Sequence, residues 1–190
     1  MTKVLLIYPY FNSPGDRSTF RFPPLGIAYL ASSLRNQNYE VEILDCTFLD
    51  KPYAEDRAKN SHADVVGIYS MASMKRNSLE FARLLRHNCG LIIAGGPLPT
   101  ADPESFLNDF DIVVKGEGER AILDVIKAYG NGRKYEAIPG IVFRNSGIAR
   151  KSGKDSEIIF TGPRQMEPDL NSIAFPARDL LPNHRYIDCF

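Results

Sequence analysis

Three short loops carry residue types that could hold a ligand. Gly116-Glu117-Gly118-Glu119-Arg120-Ala121 matches G-x-G-x-x-A, a spacing whose glycines let backbone approach a pyrophosphate at a helix N-terminus. Glu117 and Glu119 would face that anion, so the loop's own carboxylates satisfy the helix dipole instead. Gly95-Gly96-Pro97 permits positive φ and close approach by a ligand or another backbone. Ser70-Met71-Ala72-Ser73-Met74 offers hydroxyls to a ligand or as helix caps. A fourth stretch, Pro9 to Pro24, spans 16 residues without any period. Loops of that length are usually functional or disordered. Tyr10, Phe11, Phe20 and Phe22, with Pro14, Pro23 and Pro24, weigh against disorder. They fit either a flat apolar ligand or a fold-back onto the domain.

Other reactive chemistry is sparse. His62, His87 and His184 are scattered and read as surface residues, and Cys46, Cys89 and Cys189 form no paired motif. No nucleophile elbow, P-loop or metal-spaced cluster is present, so no catalytic residue and no metal ligand is assigned. The chain alone is not expected to be catalytic.

The loops need elements to position them. Lys3 to Tyr8 is a continuous apolar run, as in a strand buried on both faces. Val41 to Asp45, Asp64 to Ser70, Leu91 to Ala94 and Asp111 to Lys115 repeat the pattern. Between them the spacing predicts helices from about Leu25, over Tyr53 to Asn60, from near Arg76, and from Asp102-Pro103 with Asp as N-cap. A last helix carries Ile122, Val125, Ile126 and Tyr129 on one face, with Gly130 as its C-terminal cap. Strict alternation of strand and helix implies an α/β fold with a doubly wound parallel sheet. Five units with a ligand at the first strand match the flavodoxin-like (Rossmann-like) order 2-1-3-4-5. In such a sheet ligands lie beyond the carboxyl ends of the strands, where all four loops fall.

Residues 1–133 are therefore expected to form the α/β domain. Residues 134–168 read as a β-hairpin extension: Ile138 to Arg144, a turn at Asn145-Ser146-Gly147, and a return over Ile148 to Arg150, with a further short strand at Glu157 to Phe160. Residues 169–190 read as a proline-rich linker that leads onward past Phe190.

Composition narrows the partners. The 190 residues include 23 basic and 23 acidic side chains, a balance that speaks against nucleic acid or an anionic membrane as partner. No apolar run approaches the roughly 20 residues of a membrane span. The start runs directly into a strand, so no signal peptide is expected, and unpaired cysteines fit a cytoplasmic setting.

Five features in order carry a resemblance. An apolar strand ends in Tyr8-Pro9. The long loop ends in Pro23-Pro24-Leu25-Gly26-Ile27-Ala28-Tyr29-Leu30-Ala31. Gly95-Gly96-Pro97 follows the fourth strand, and Val113-Val114-Lys115-Gly116-Glu117-Gly118-Glu119 the fifth. Ile138-Pro139-Gly140-Ile141 and Ile173-Ala174-Phe175-Pro176-Ala177-Arg178-Asp179-Leu180-Leu181-Pro182 complete the set. The chain resembles the N-terminal region of cobalamin-dependent radical S-adenosylmethionine enzymes, over nearly its whole length. The resemblance implies a corrinoid over the carboxyl edge, held by Tyr8, Pro9, Tyr10, Phe22, Pro24, Ser70, Met71, Ala72, Gly95, Gly96, Pro97, Gly116, Glu117, Gly118 and Glu119. It also implies a barrel of the same polypeptide beyond Phe190, carrying a 4Fe-4S cluster and S-adenosylmethionine. Methyl transfer to a substrate radical, or tetrapyrrole ring formation, would be the parent activity. One departure stands out. Many cobalamin domains carry D-x-H-x-x-G after the first strand, whereas here Asp16 is followed two positions later by Ser18, and no histidine precedes His62. Cobalt is therefore expected without a protein imidazole.

Three other readings compete with it. A nucleotide- or nucleotide-sugar-binding Rossmann-like domain would use the Gly116–Ala121 loop, against its two carboxylates. A signalling receiver would need acids where Tyr8-Pro9 and Ser70 stand. A structural docking module is compatible with the cofactor reading.

Overall fold

The structure is a computed structural model and describes residues 1–11, 21–145 and 157–187. The expectations placed on Pro14, Asp16, Ser18, Phe20, the turn residues Ser146 and Gly147, the return strand Ile148 to Arg150, and Cys189 lie outside the described residues.

Five parallel strands alternate with helices as the apolar runs require: β1 (Lys3–Tyr8), α1 (Leu25–Arg35), β2 (Glu40–Asp45), α2 (Lys51–Lys59), β3 (Val65–Tyr69), α3 (Lys75–Leu85), β4 (Leu91–Gly95), α4 (Pro97–Ala101), β5 (Ile112–Val114) and α5 (Glu119–Gly130). Two antiparallel strands follow, β6 (Ile141–Arg144) and β7 (Ile158–Phe160), then a short helix α6 (Asn183–Ile187). The sheet order is β2-β1-β3-β4-β5-β6-β7. The parallel part thus has the flavodoxin-like order, and the hairpin joins the same sheet, giving seven strands among the described residues rather than five. Phe143 faces Ile112 and Ile159 across the two antiparallel pairings.

Burial on both faces follows from the strand sequences. In β1, Val4 and Leu6 pack in the layer under α1 and α5, while Leu5 and Ile7 pack in the layer under α3. Alternate residues leave a strand on opposite faces, so a continuous apolar run fills two cores at once. Phe81 and Phe106 are the largest fully buried side chains of the second layer. Each would cost roughly 3–5 kcal/mol to truncate to alanine.

Two boundaries differ from expectation. Asp102 does not cap a helix. It follows α4 with φ −135° and ψ 69°, and only a single 3-10 turn forms, over Glu104–Phe106. The helix begins earlier because Gly96 turns the chain and Pro97 sits at the first helical position, where its missing N–H costs nothing. Gly130 does not cap α5 either. The helix runs through it to Asn131, and the left-handed residues are Gly132 (φ 84°) and Arg133 (φ 60°). Among the described residues no helix is long and apolar enough to cross a membrane.

Candidate functional site

The carboxyl edge of the parallel strands is built from Tyr8, Tyr69, Gly95 and the loops that follow them. Parallel register places Tyr8 beside Asp45 of β2 on one side and next to the end of β3 on the other. The rings of Tyr8 and Tyr69 lie 5.3 Å apart and tilted, and Tyr10 lies 6.3 Å from Tyr8. Arg21 is buried with its guanidinium 5.6 Å from the Tyr10 ring, an electrostatically favourable cation–π distance. Asn77 of α3 holds the start of the long loop by donating to Pro9 O at 3.1 Å. Phe11 stacks at 6.2 Å on Phe81 below it.

This aromatic row has shifted acidity. Burial, then the neighbouring Tyr69, Asp45 and Tyr10, push the Tyr8 phenol up to about 12. Burial also raises Tyr69. Both phenols are therefore harder to ionise than an ordinary tyrosine and stay protonated near neutral pH.

The β4 loop is the tightest point. Gly96 has φ 108° and ψ −177°, a region nearly restricted to glycine. A Cβ there would stand 2.6 Å from Ser70 O and 3.0 Å from the Tyr69 ring. Gly95 differs, since a Cβ would meet nothing within 4 Å, so the edge is open directly above it. Ser70 N–H donates to Gly95 O at 2.8 Å and Leu98 N–H to Ser70 O at 3.3 Å, which lock the β3 and β4 loops together. Neither Ser70 nor Ser73 caps a helix; Met71 and Met74 occupy those positions without side-chain bonds. Ser70 is buried, while Met71, Ala72 and Pro97 are exposed.

The β5 loop closes the row. Gly116 N–H donates to Thr100 Oγ1 at 3.0 Å. Gly118 abuts α1, where a Cβ would stand 3.0 Å from Leu30 Cδ2. Glu119 lies in the first turn of α5, where a carboxylate suits the dipole. Glu117 is exposed, and Glu167 N–H approaches its Oε2 at 3.5 Å. Gly118 thus serves helix packing, while Gly116 turns the chain at φ 75° with nothing within 4 Å of a Cβ. Phe22 stands 70% exposed, whereas Pro9 and Pro24 are buried.

The structure therefore aligns the sequence-derived residues along one edge, from Tyr8 to Glu119. Tyr69 is the residue that sequence reasoning missed. Its signal was the repeated tyrosine at the ends of β1 and β3. His62, His87 and His184 are all exposed. His62 precedes β3 and His87 precedes β4, which puts both at the opposite edge of the sheet. Among the described residues no group of three or more His, Cys, Asp or Glu could hold a metal ion.

A family model described as B12 binding domain matches residues 15–126. An uncharacterized methyltransferase from Pyrococcus horikoshii is 29% identical over 192 residues, covering 97% of this chain and 40% of that protein. An anaerobic magnesium-protoporphyrin IX monomethyl ester cyclase from a Synechocystis species is 26% identical over 179 residues, covering 89% of this chain and 34% of the cyclase. The chain thus spans well under half of these relatives. Among solved structures, the cobalamin-dependent S-adenosylmethionine radical enzyme OxsB, with aqua-cobalamin and S-adenosylmethionine bound, superposes with a TM-score of 0.76. It is 19% identical, with 95% of this chain and 25% of that one covered. The radical S-adenosylmethionine methyltransferase TsrM from Kitasatospora setae gives 0.65 at 21% identity, with 77% and 29% covered.

Proposed function

Because the chain belongs to the B12-binding domain family, we propose that it holds a corrinoid over the carboxyl edge of its sheet as one part of a larger radical S-adenosylmethionine enzyme. The observation that carries the reading is the Gly95–Gly96 step. Gly96 brings backbone against Ser70 and Tyr69, and Gly95 leaves bare, open edge beside the aromatic row. A flat macrocycle requires such a floor, since side chains projecting from the strand ends would hold it away.

In this reading Tyr8, Pro9, Tyr10, Phe22 and Pro24 border the corrin, with Tyr69 added. Ser70, Met71, Ala72, Gly95, Gly96 and Pro97 line the middle of the edge, and Gly116, Glu117, Gly118 and Glu119 line the far end. The bound group would supply a cobalt able to carry a methyl group. The chain's own residues bind, orient and shield it: Phe22 and Met71 offer apolar surface, and the tyrosine phenols stay protonated. His62 and His87 lie at the opposite edge and His184 of α6 is exposed, so in this reading a corrinoid would be held without a protein imidazole. S-adenosylmethionine and a 4Fe-4S cluster belong in this proposal to a barrel elsewhere in the polypeptide. The parent activity is methyl transfer or a cyclase-like reaction on a tetrapyrrole. Cys46 and Cys89 form no disulfide, which suits a cytoplasmic setting.

The test is titration with hydroxocobalamin followed by gel filtration and visible absorption. Comigration of the red chromophore at micromolar affinity is expected. Elution of the chromophore apart from both this chain and the longer protein overturns the reading. The nucleotide-binding alternative fares worse, because Glu117 and Glu119 flank the loop where a pyrophosphate would have to lie.

A further inference from the structure

The stretch after β7 returns to the domain. Arg164 donates to Asp124 Oδ2 at 2.6 Å and to Pro139 O at 3.2 Å, and Arg120 pairs with Glu167. The chain then lies along α1. Ala177 N–H donates to Ala28 O at 3.0 Å, Ser32 donates to Phe175 O, and Arg35 Nη1 donates to both carboxylate oxygens of Asp179 at 2.7 and 3.0 Å. Ala177 and Leu181 are buried in the same core layer as α1 and α5. Helix α6 finally brings Tyr186 to the carboxyl end of β2.

Tyr186 is 2% exposed there. Its phenol donates to Asp45 Oδ2 at 2.5 Å and lies 3.0 Å from Thr47 Oγ1. The ring meets Phe48 edge-on at 4.7 Å. Asp45 is itself buried, and its other oxygen accepts from Thr47 N–H at 3.0 Å and Thr47 Oγ1 at 2.6 Å. A buried carboxylate depends on its donors, and losing one leaves an unpaired oxygen that seeks another. The neighbour in register with Asp45 is Tyr8, the first residue of the aromatic row. Tyr8 and Tyr186 therefore flank one carboxylate.

We infer that Tyr186 is a positioning residue of the corrinoid site: acting through Asp45 it fixes Tyr8, and it thereby couples occupancy of the carboxyl edge to docking of residues 175–187. The inference rests on the corrinoid reading above. By linkage the coupling is reciprocal, so a bound corrinoid tightens the strap and a loosened strap weakens the corrinoid.

Hydrogen exchange of residues 175–187 is measured with and without hydroxocobalamin, alongside affinity by absorption, for the wild type and three variants. Tyr186→Phe keeps the ring against Phe48 and removes the donor. It should weaken hydroxocobalamin binding about three- to tenfold, the loss of one hydrogen bond, and abolish the exchange slowing that the corrinoid confers on the wild type. Asp45→Asn, which keeps the shape, should behave likewise. Arg35→Gln breaks the strap's exposed ion pair away from the edge. Because an exposed ion pair is worth little, it should speed exchange near Asp179 and weaken hydroxocobalamin binding by no more than about twofold. Wild-type affinity in both latch variants, or strap exchange indifferent to bound corrinoid, overturns the inference and leaves the cofactor reading intact. A wild type that takes up no hydroxocobalamin overturns both, and is recognised by the missing chromophore.

Discussion

Gly96→Ala is the perturbation whose outcome follows most directly from the geometry. The residue has φ 108° and ψ −177°, a conformation that costs an L side chain about 1–3 kcal/mol. The added methyl would also stand 2.6 Å from Ser70 O. That carbonyl is backbone and accepts from Leu98 N–H, so it cannot swing aside as a flexible side chain would. Displacing it adds overpacking of the usual 1–3 kcal/mol. Together these give about 2–6 kcal/mol, a large share of the ~5–15 kcal/mol typical of a domain. For a chain of this size the melting temperature should fall by roughly 4–24 °C. Urea unfolding followed by circular dichroism, with the slope checked for constancy, measures it. Gly95→Ala is the comparison, because its Cβ meets nothing within 4 Å. It should change stability by less than about 1 kcal/mol while weakening hydroxocobalamin binding, since the methyl rises into the open edge. Equal unfolding midpoints for Gly96→Ala and wild type would refute the reasoning.

Spectrophotometric titration should show Tyr8 and Tyr135, each raised to about 12 chiefly by burial, ionising well after ordinary tyrosines. Unfolded tyrosines ionise near 10, so the unfolded chain holds fewer protons between about pH 10 and 12 and stability falls as pH rises through that window; tyrosines that all ionise near 10 in the folded chain would contradict this. Replacing His62, His87 and His184 together by alanine should leave the visible spectrum of bound hydroxocobalamin unchanged, and a shift in its bands would show imidazole ligation. Phe81→Ala should cost about 3–5 kcal/mol in urea unfolding and loosen Phe11, which stacks on it; protease cleavage near the long loop no faster than in wild type would contradict the second part.

What the sequence made legible depended on range. Apolar runs such as Lys3–Tyr8 encode burial on both faces locally, and alternation with helices then leaves few sheet orders open. The parallel α/β class could therefore be read directly, whereas the order 2-1-3-4-5 rested on matching five units to a flavodoxin-like sheet. The pairing of β7 with β6 could not, because it depends on contacts across an intervening stretch, such as Ile141 N–H donating to Thr161 Oγ1 at 3.1 Å. Asp102-Pro103 carries a helix-start signal, yet Gly96 and Pro97 start the helix sooner and the buried Phe106 and Phe110 fix the turn that follows. Tyr69 was hidden inside an apolar strand and becomes a site residue only through register with Tyr8. Asp45 and Tyr186 are 141 positions apart, with no local pattern to join them.

The antiparallel pair β6 and β7 does more than widen the sheet. β5 is only three residues long, Ile112-Val113-Val114, all buried. Without β6 its outer backbone groups would stand unpaired on an apolar, β-branched strand, the kind of template that recruits strands from other molecules. A chain cut near residue 133, where the parallel pattern ends, would keep every residue of the proposed corrinoid edge and still be prone to aggregation. Expression of the cofactor-binding half therefore needs at least the sequence through Phe160, because solubility is set at the far side of the sheet from the aromatic row, and through Ile187 to keep Tyr186 on Asp45.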